Sequence, residues 1–139
     1  MIDQMRDHQI VCGVGRMGRA VVEELQRTGE QVVVIDRDPD RLALLHDASI
    51  PTVRGDATAE ATLRQAGIDR ARGLIACLAD DAHNVYAVLT ARTLNQKLFI
   101  VARATEDDAE QRVRQAGADR AVNPYQIGGL RLAHLAVER

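Results

Sequence analysis

Residues 9–20 read QIVCGVGRMGRA. The apolar run Ile10, Val11 and Cys12 stops at a glycine, and Gly13, Gly15 and Gly18 then fall in the pattern G-x-G-x-x-G. A helical pattern follows at once: Ala20, Val21 and Leu25 alternate with Glu23, Glu24 and Arg27, and Gly29 stops the run. The pattern alone says little, but between a strand and a helix each glycine has a task. The first allows a tight turn, the second lets backbone approach a phosphate, and the third lets the helix pack close to the strand. The helix start supplies free amides and the positive end of a dipole. Glycines serving only a turn would be the plainer reading. Arg16, inside the loop, is required by neither.

Beyond this helix, residues 31–36 form a second strand with four consecutive apolar residues before Asp36. Continuous apolar strands belong to parallel sheets covered on both faces. Asp38 is placed to cap a helix with Pro39 in its first turn, and that helix carries Leu42, Leu44 and Leu45. Further strands read IPTVRG, RGLIACLA, KLFIVARA and ADRAVNP, separated by helices at DATAEATLRQAG, at about 80–94 and at EDDAEQRVRQAG. This alternation of βαβ units predicts an α/β fold: a Rossmann-like, doubly wound parallel sheet of six strands in the order 3-2-1-4-5-6, with helices on both faces. We expect one domain over 1–139, ending in a helix from about 124 that becomes regular beyond Gly128 and Gly129. The octet RQAGIDRA at 64–71 recurs as RQAGADRA at 114–121, which reads as reused turn chemistry rather than a duplicated functional motif.

Composition removes several classes of function. Aromatics are 2% of the chain, so stacking platforms for exposed bases are not expected. The formal net charge of −2 gives no bulk field for nucleic acid or an anionic membrane. No run approaches the roughly 20 apolar residues of a membrane span, and the polar start MIDQMRDHQ is no signal peptide. Cys12 and Cys77 sit in apolar runs and suit a reducing compartment, as buried inert thiols. A cytoplasmic setting is expected.

Asp36 stands 23 positions after Gly13, at the end of the second strand. A carboxylate there can accept both ribose hydroxyls and repels a 2′-phosphate. Arg37 could lie over an adenine face or point to water. Asp56 could accept from an adenine amino group or cap the helix that begins near Ala59. Ala76 and Cys77 should end the fourth strand, beside the first. Catalytic machinery is not apparent. The four histidines are dispersed, and only His83 falls near the ligand edge, where an exposed helix-start position explains it equally. No zinc spacing, no G-K-[ST] and no nucleophile elbow is present. Asp80 and Asp81, and the acids at 106–108, read as helix-start residues rather than a metal pair. We expect no enzyme activity and no metal; the alternative is an NAD-dependent oxidoreductase or its cofactor-binding portion.

The combination IVCGVGRMGRAVVEEL, VVVIDRDPDR, VRGDAT, ARGLIACLADDAHNV, VARA and AGADRAVNPYQIGG resembles the N-terminal domain of the regulators of potassium conductance, the RCK or TrkA-N family. The resemblance covers nearly the whole chain. It implies a domain that binds NAD(H) or an adenine nucleotide (AMP, ADP or ATP) without turnover. It implies assembly into homodimers or rings that gate a membrane-embedded potassium channel or transporter, at the inner face of the cell membrane and without inserting into it. Carried onto this chain, Gly13, Val14, Gly15, Arg16, Met17 and Gly18 form the phosphate loop, with Arg16 reaching phosphate. Asp36 holds the adenosine ribose with Arg37 beside it, and Asp56 and Ala57 line the adenine side. Ala76 and Cys77 close over the fourth strand, and Asn84 and Arg103 are outer contacts. The last helix corresponds to a crossover helix that packs on a neighbouring subunit. Its Ile127, Leu130, Leu132, Leu135 and Val137 spread around the axis, where one buried face would need a single stripe.

Overall fold

The computed structural model describes residues 1–45 and 49–138. After a 3-10 turn at Ile2–Gln4, the elements run β1 (Gln9–Cys12), α1 (Arg16–Arg27), β2 (Val32–Asp36), α2 (Pro39–Ala43), β3 (Thr52–Arg54), α3 (Glu60–Gln65), β4 (Gly73–Ala76), α4 (Asp81–Leu94), β5 (Phe99–Arg103), α5 (Ala109–Ala116), β6 (Arg120–Val122) and α6 (Pro124–Glu138). The six strands form one sheet, β3-β2-β1-β4-β5-β6. Every pairing is parallel, with Cys12 level with Ile35 on one side and Ala76 on the other. The expected fold and strand order are the observed ones.

Alternation along the strands sorts the core into two layers. Ile10, Val33, Ile35, Leu74 and Ile100 face α3, α4 and α5, packing with Leu63, Val88, Ala91 and Val113. Val11, Val32 and Val34 face α1 and α2, packing with Val22, Leu25, Leu42 and Leu45. Leu44, just past the end of α2, lies outside this packing and is exposed. The first layer is continuous across the sheet. The second thins beyond β1, where Ile75 and Val101 are half-buried and Phe99 and Val122 are exposed.

Local chemistry sets the ends of the elements. Asp38 caps α2 as expected, accepting from the Asp40 amide at 2.9 Å with Pro39 at the first position. The two copies of the octet end α3 and α5 at Gly67 and Gly117, both at positive φ, a backbone region where glycine meets no Cβ penalty. The second copy is held by Arg92 of α4, which donates to the carbonyls of Gly117 and Leu98 and to Asp119 Oδ2 at 2.9 Å. The last helix is regular before its two glycines as well as beyond them. It runs unbroken through Gly128 and Gly129 from Pro124, because Asn123 Oδ1 accepts from the amides of Tyr125 and Gln126 and starts the helix early. None of its described residues is buried. Among the described residues, no helix is long and apolar enough to cross a membrane.

Candidate functional site

Parallel strands with helices on both faces leave a crevice at their C-terminal ends, at the point where the chain order reverses. Here β1 lies between β2 and β4, and its C-terminal edge opens into a cleft of about 520 Å³. Its floor follows the strand order. Asp56 and Ala57 lie after β3, Asp36 ends β2, the glycine loop follows β1, Cys77 follows β4 and Arg103 ends β5.

The glycine loop is built as its spacing requires. Gly13 has φ of +92°, and a Cβ there would lie 2.6 Å from the Cys77 carbonyl oxygen. At Gly18 a Cβ would lie 1.9 Å from the Gly13 carbonyl oxygen, so α1 can seat on the loop only without a side chain there. Gly15 is the opposite case: nothing lies within 4 Å of its Cβ position, and it lines the cleft. It is also the N-cap of α1 and offers no side-chain cap. The first amides of a helix have no intrahelical acceptor, so those of α1 are left for a ligand anion at the positive end of the dipole. A phosphate therefore fits a cradle that a Cβ at Gly15 would narrow.

Asp36 joins loop to strand. It is 5% exposed, its Oδ2 accepts from the Val14 amide at 2.9 Å, and its Oδ1 accepts from the Asp38 amide at 2.9 Å. A carboxylate has about four lone-pair sites, so two acceptor directions remain for hydroxyl donors from the cleft. Asp56 takes the turn role, though not as the cap of α3. That cap is Ala59, with no side-chain hydrogen bond. Asp56 Oδ1 instead accepts from the Thr58 hydroxyl at 2.7 Å and the Thr58 amide at 2.9 Å. These two bonds, the hydroxyl foremost, hold its carboxyl below the usual aspartate range, with Arg37 and His83 assisting.

Eleven of the fourteen residues singled out from sequence line the cleft. Three do not. Val14 is 1% exposed and contributes its amide to Asp36; Ala76 is wholly buried beneath the floor. Asn84 is wholly buried too, and is no outer contact. Its Oδ1 accepts from the Leu78 amide, and its Nδ2 donates to the carbonyls of Leu78 and Arg103. It positions the loop after β4 and the end of β5. Arg103 itself reaches the cleft, and its buried Nε has no acceptor among the described residues, an arrangement that an incoming anion would relieve.

Cys77 borders the cleft and its amide donates to the Cys12 carbonyl at 2.8 Å. Both thiols are free. Burial pushes Cys12 up to about 12, with Cys77 adding to it. Burial also raises Cys77, partly offset by Arg103. The acids at the start of α4 are structural. Asp80 caps the helix through the His83 amide, and Asp81 accepts from Thr105 and the Glu106 amide. His83 is exposed at the rim, its Nδ1 3.3 Å from Asp80. Sequence reading missed Arg41, which lines the cleft 4.0 Å from Asp36. Its signal was the three-residue spacing from Asp38, which brings it back over the end of β2.

Fold and cleft together define a Rossmann-type domain whose glycine loop and nearly buried Asp36 meet at the strand ends. The sequence pattern of the TrkA-N domain matches residues 9–124, and the chain belongs to that family. It is 39% identical to potassium channel protein 1 of Methanocaldococcus jannaschii, over 98% of this chain and 41% of that protein. The chain thus spans well under half of that relative's length. The crystal structure of the TrkA-N domain of inner membrane protein ybaL from Escherichia coli superposes with a TM-score of 0.89 at 26% identity, covering 95% of this chain and 98% of that one. The GsuK channel has been solved bound to ADP (TM-score 0.79, 28% identity, 90% of this chain and 33% of that one). It has also been solved bound to NAD (TM-score 0.77, 29% identity, 86% and 22%).

Proposed function

We propose that this chain is a nucleotide-sensing regulatory domain acting on a potassium channel or transporter from the cytoplasmic side of the membrane, and that it binds its ligand without turning it over. The observation that carries the reading is the N-terminus of α1, uncapped by any side chain and opening into the cleft beside Asp36. In this reading the amides of the first turn of α1 hold phosphate and Asp36 holds the adenosine ribose. The adenine lies toward Asp56 and Ala57, with Arg37 at its edge. The ligand is NAD(H) or an adenine nucleotide (AMP, ADP or ATP). Relatives solved with ADP and with NAD support that range, and a potassium channel among the relatives supports the partner.

Arg16 gives the site its sensing element. A pyrophosphate can be held by amides and a helix end alone. Arg16 is exposed at the cleft, and its guanidinium has no carboxylate partner among the described residues. Five donors and a fixed charge suit phosphate oxygens. Regulation would follow if ligands with different phosphate content stabilise different subunit arrangements. The apolar residues of α6 and the thin second layer over β5 and β6 support a homodimer or a larger ring.

Calorimetric titration of AMP, ADP, ATP, NAD and NADH into the wild type and Arg16→Ala tests this. The variant should weaken the phosphate-rich ligands more than AMP. Equal losses across the series would mean that Arg16 only supports the loop, and turnover of any ligand would overturn the regulatory reading.

A further inference from the structure

Arg41 is not part of the glycine pattern, yet it stands over the carboxylate that would hold the ribose. Its Nη1 is 4.0 Å from Asp36 Oδ2 and its Nε is 3.9 Å from Asp38 Oδ2, with the side chain half-exposed along the cleft wall. Asp36 is nearly buried and each of its oxygens already accepts a backbone amide. The carboxylate cannot turn away from the cleft without breaking one of those bonds, so its charge is fixed there. A 2′-phosphate on the ribose would meet that charge directly. Here, however, a guanidinium stands within reach of any anion that touches Asp36. Arg37, which also lines the cleft, lies near enough to Asp56 to help hold its carboxyl down.

Resting on the nucleotide reading of the cleft, we propose that Arg41 is a specificity residue for the ribose 2′ position. As the counter-ion of Asp36 it softens the exclusion of 2′-phosphorylated adenosines, so that the cleft grades 2′-hydroxyl against 2′-phosphate instead of rejecting the latter outright. A charge is required, because the interaction is with phosphate. A guanidinium fork is not, since Arg41 makes no bidentate pair among the described residues.

The test uses two ligands that differ only at this position, AMP and adenosine 2′,5′-bisphosphate, titrated into the wild type, Arg41→Ala and Arg41→Lys. The ratio of their dissociation constants is the readout, since a loss of packing would weaken both alike. Arg41→Ala should widen the preference for AMP by about two- to fivefold, the range of one exposed charge pair, and the widening should shrink in high salt. Arg41→Lys should keep the ratio near that of the wild type. An unchanged or narrowed ratio in Arg41→Ala, with AMP still bound, would overturn the role of Arg41 alone. Failure of the wild type to bind AMP or any other adenine nucleotide would overturn the nucleotide reading, and this inference with it.

Discussion

Asp36 and Val14 are 22 residues apart in sequence, and the Val14 amide donates to Asp36 Oδ2 at 2.9 Å in a buried setting. This one bond fixes the glycine loop of β1 to the end of β2, and it holds the carboxylate at the cleft in a single orientation. Asp36 is therefore both a structural acceptor and the candidate ribose acceptor, and its replacement should be felt twice. Asp36→Asn leaves one of two amides facing an NH₂ group. Unfolding should become easier by about 1–3 kcal/mol, the cost of an unsatisfied buried donor. Adenosine ligands should weaken by about tenfold or more. Thermal melts and calorimetry on the same preparation check both, and a variant with unaltered melting and affinity would remove Asp36 from both roles.

The glycines divide in the same way. Gly18→Ala places a methyl 1.9 Å from the Gly13 carbonyl oxygen, which only a backbone shift can relieve, and should destabilise the fold by about 3 kcal/mol. Gly15→Ala meets nothing within 4 Å. It should destabilise by about 1 kcal/mol at most, the difference between glycine and alanine at an N-cap, while weakening phosphate ligands. Denaturant melts of the two variants should separate them clearly; equal destabilisation would contradict the assigned roles.

Asp56 predicts a pH effect. Its bonds from the Thr58 hydroxyl and amide lower its pKa from the ordinary 3.8. A carboxylate with a depressed folded pKa stabilises the fold above its unfolded value and loses that contribution as pH falls through the folded one. Asp56→Asn should melt below the wild type at neutral pH, and the gap should close as pH drops below 3.8. A gap independent of pH would show that the Thr58 bonds do not depend on the charge.

The apolar side chains of α6 predict association. Leu132 is 72% exposed and Ile127 59%, and the sheet face at Phe99 and Val122 is also open. Sedimentation at several concentrations should show self-association that Leu132→Glu weakens. A chain that stays monomeric well above micromolar concentration would contradict it.

What the sequence made legible was the part governed by short-range pattern. Four apolar residues in a row before Asp36 identified a buried parallel strand, and the strand–glycine–helix succession located the cleft. Features that depend on contacts across the fold stayed hidden. Arg41 returns to Asp36 through one turn of α2, and its three-residue spacing from Asp38 was the one trace of this in the sequence. Asn84 has the composition of a ligand contact, but its amide is consumed by Leu78 and Arg103. Asp56 precedes a helix, which suggested a cap, yet Thr58 captures it two residues on. In α6 the two glycines suggested regular helix only beyond them, and the Asn123 cap with Pro124 starts it earlier.

In the proposed reading an adenine nucleotide sits with its phosphates on the N-terminus of α1 and its adenosine against Asp36. Titration of ADP into isotopically labelled protein, followed through backbone amide resonances, shows where the ligand binds. Saturable shifts should be largest at Gly15, Arg16 and Met17, extend to Gly55, Asp56 and Ala57, and be absent at Gln31 and Lys97 on the opposite edge of the sheet. Shifts centred anywhere else, or none at millimolar ADP and NAD alike, would contradict that reading.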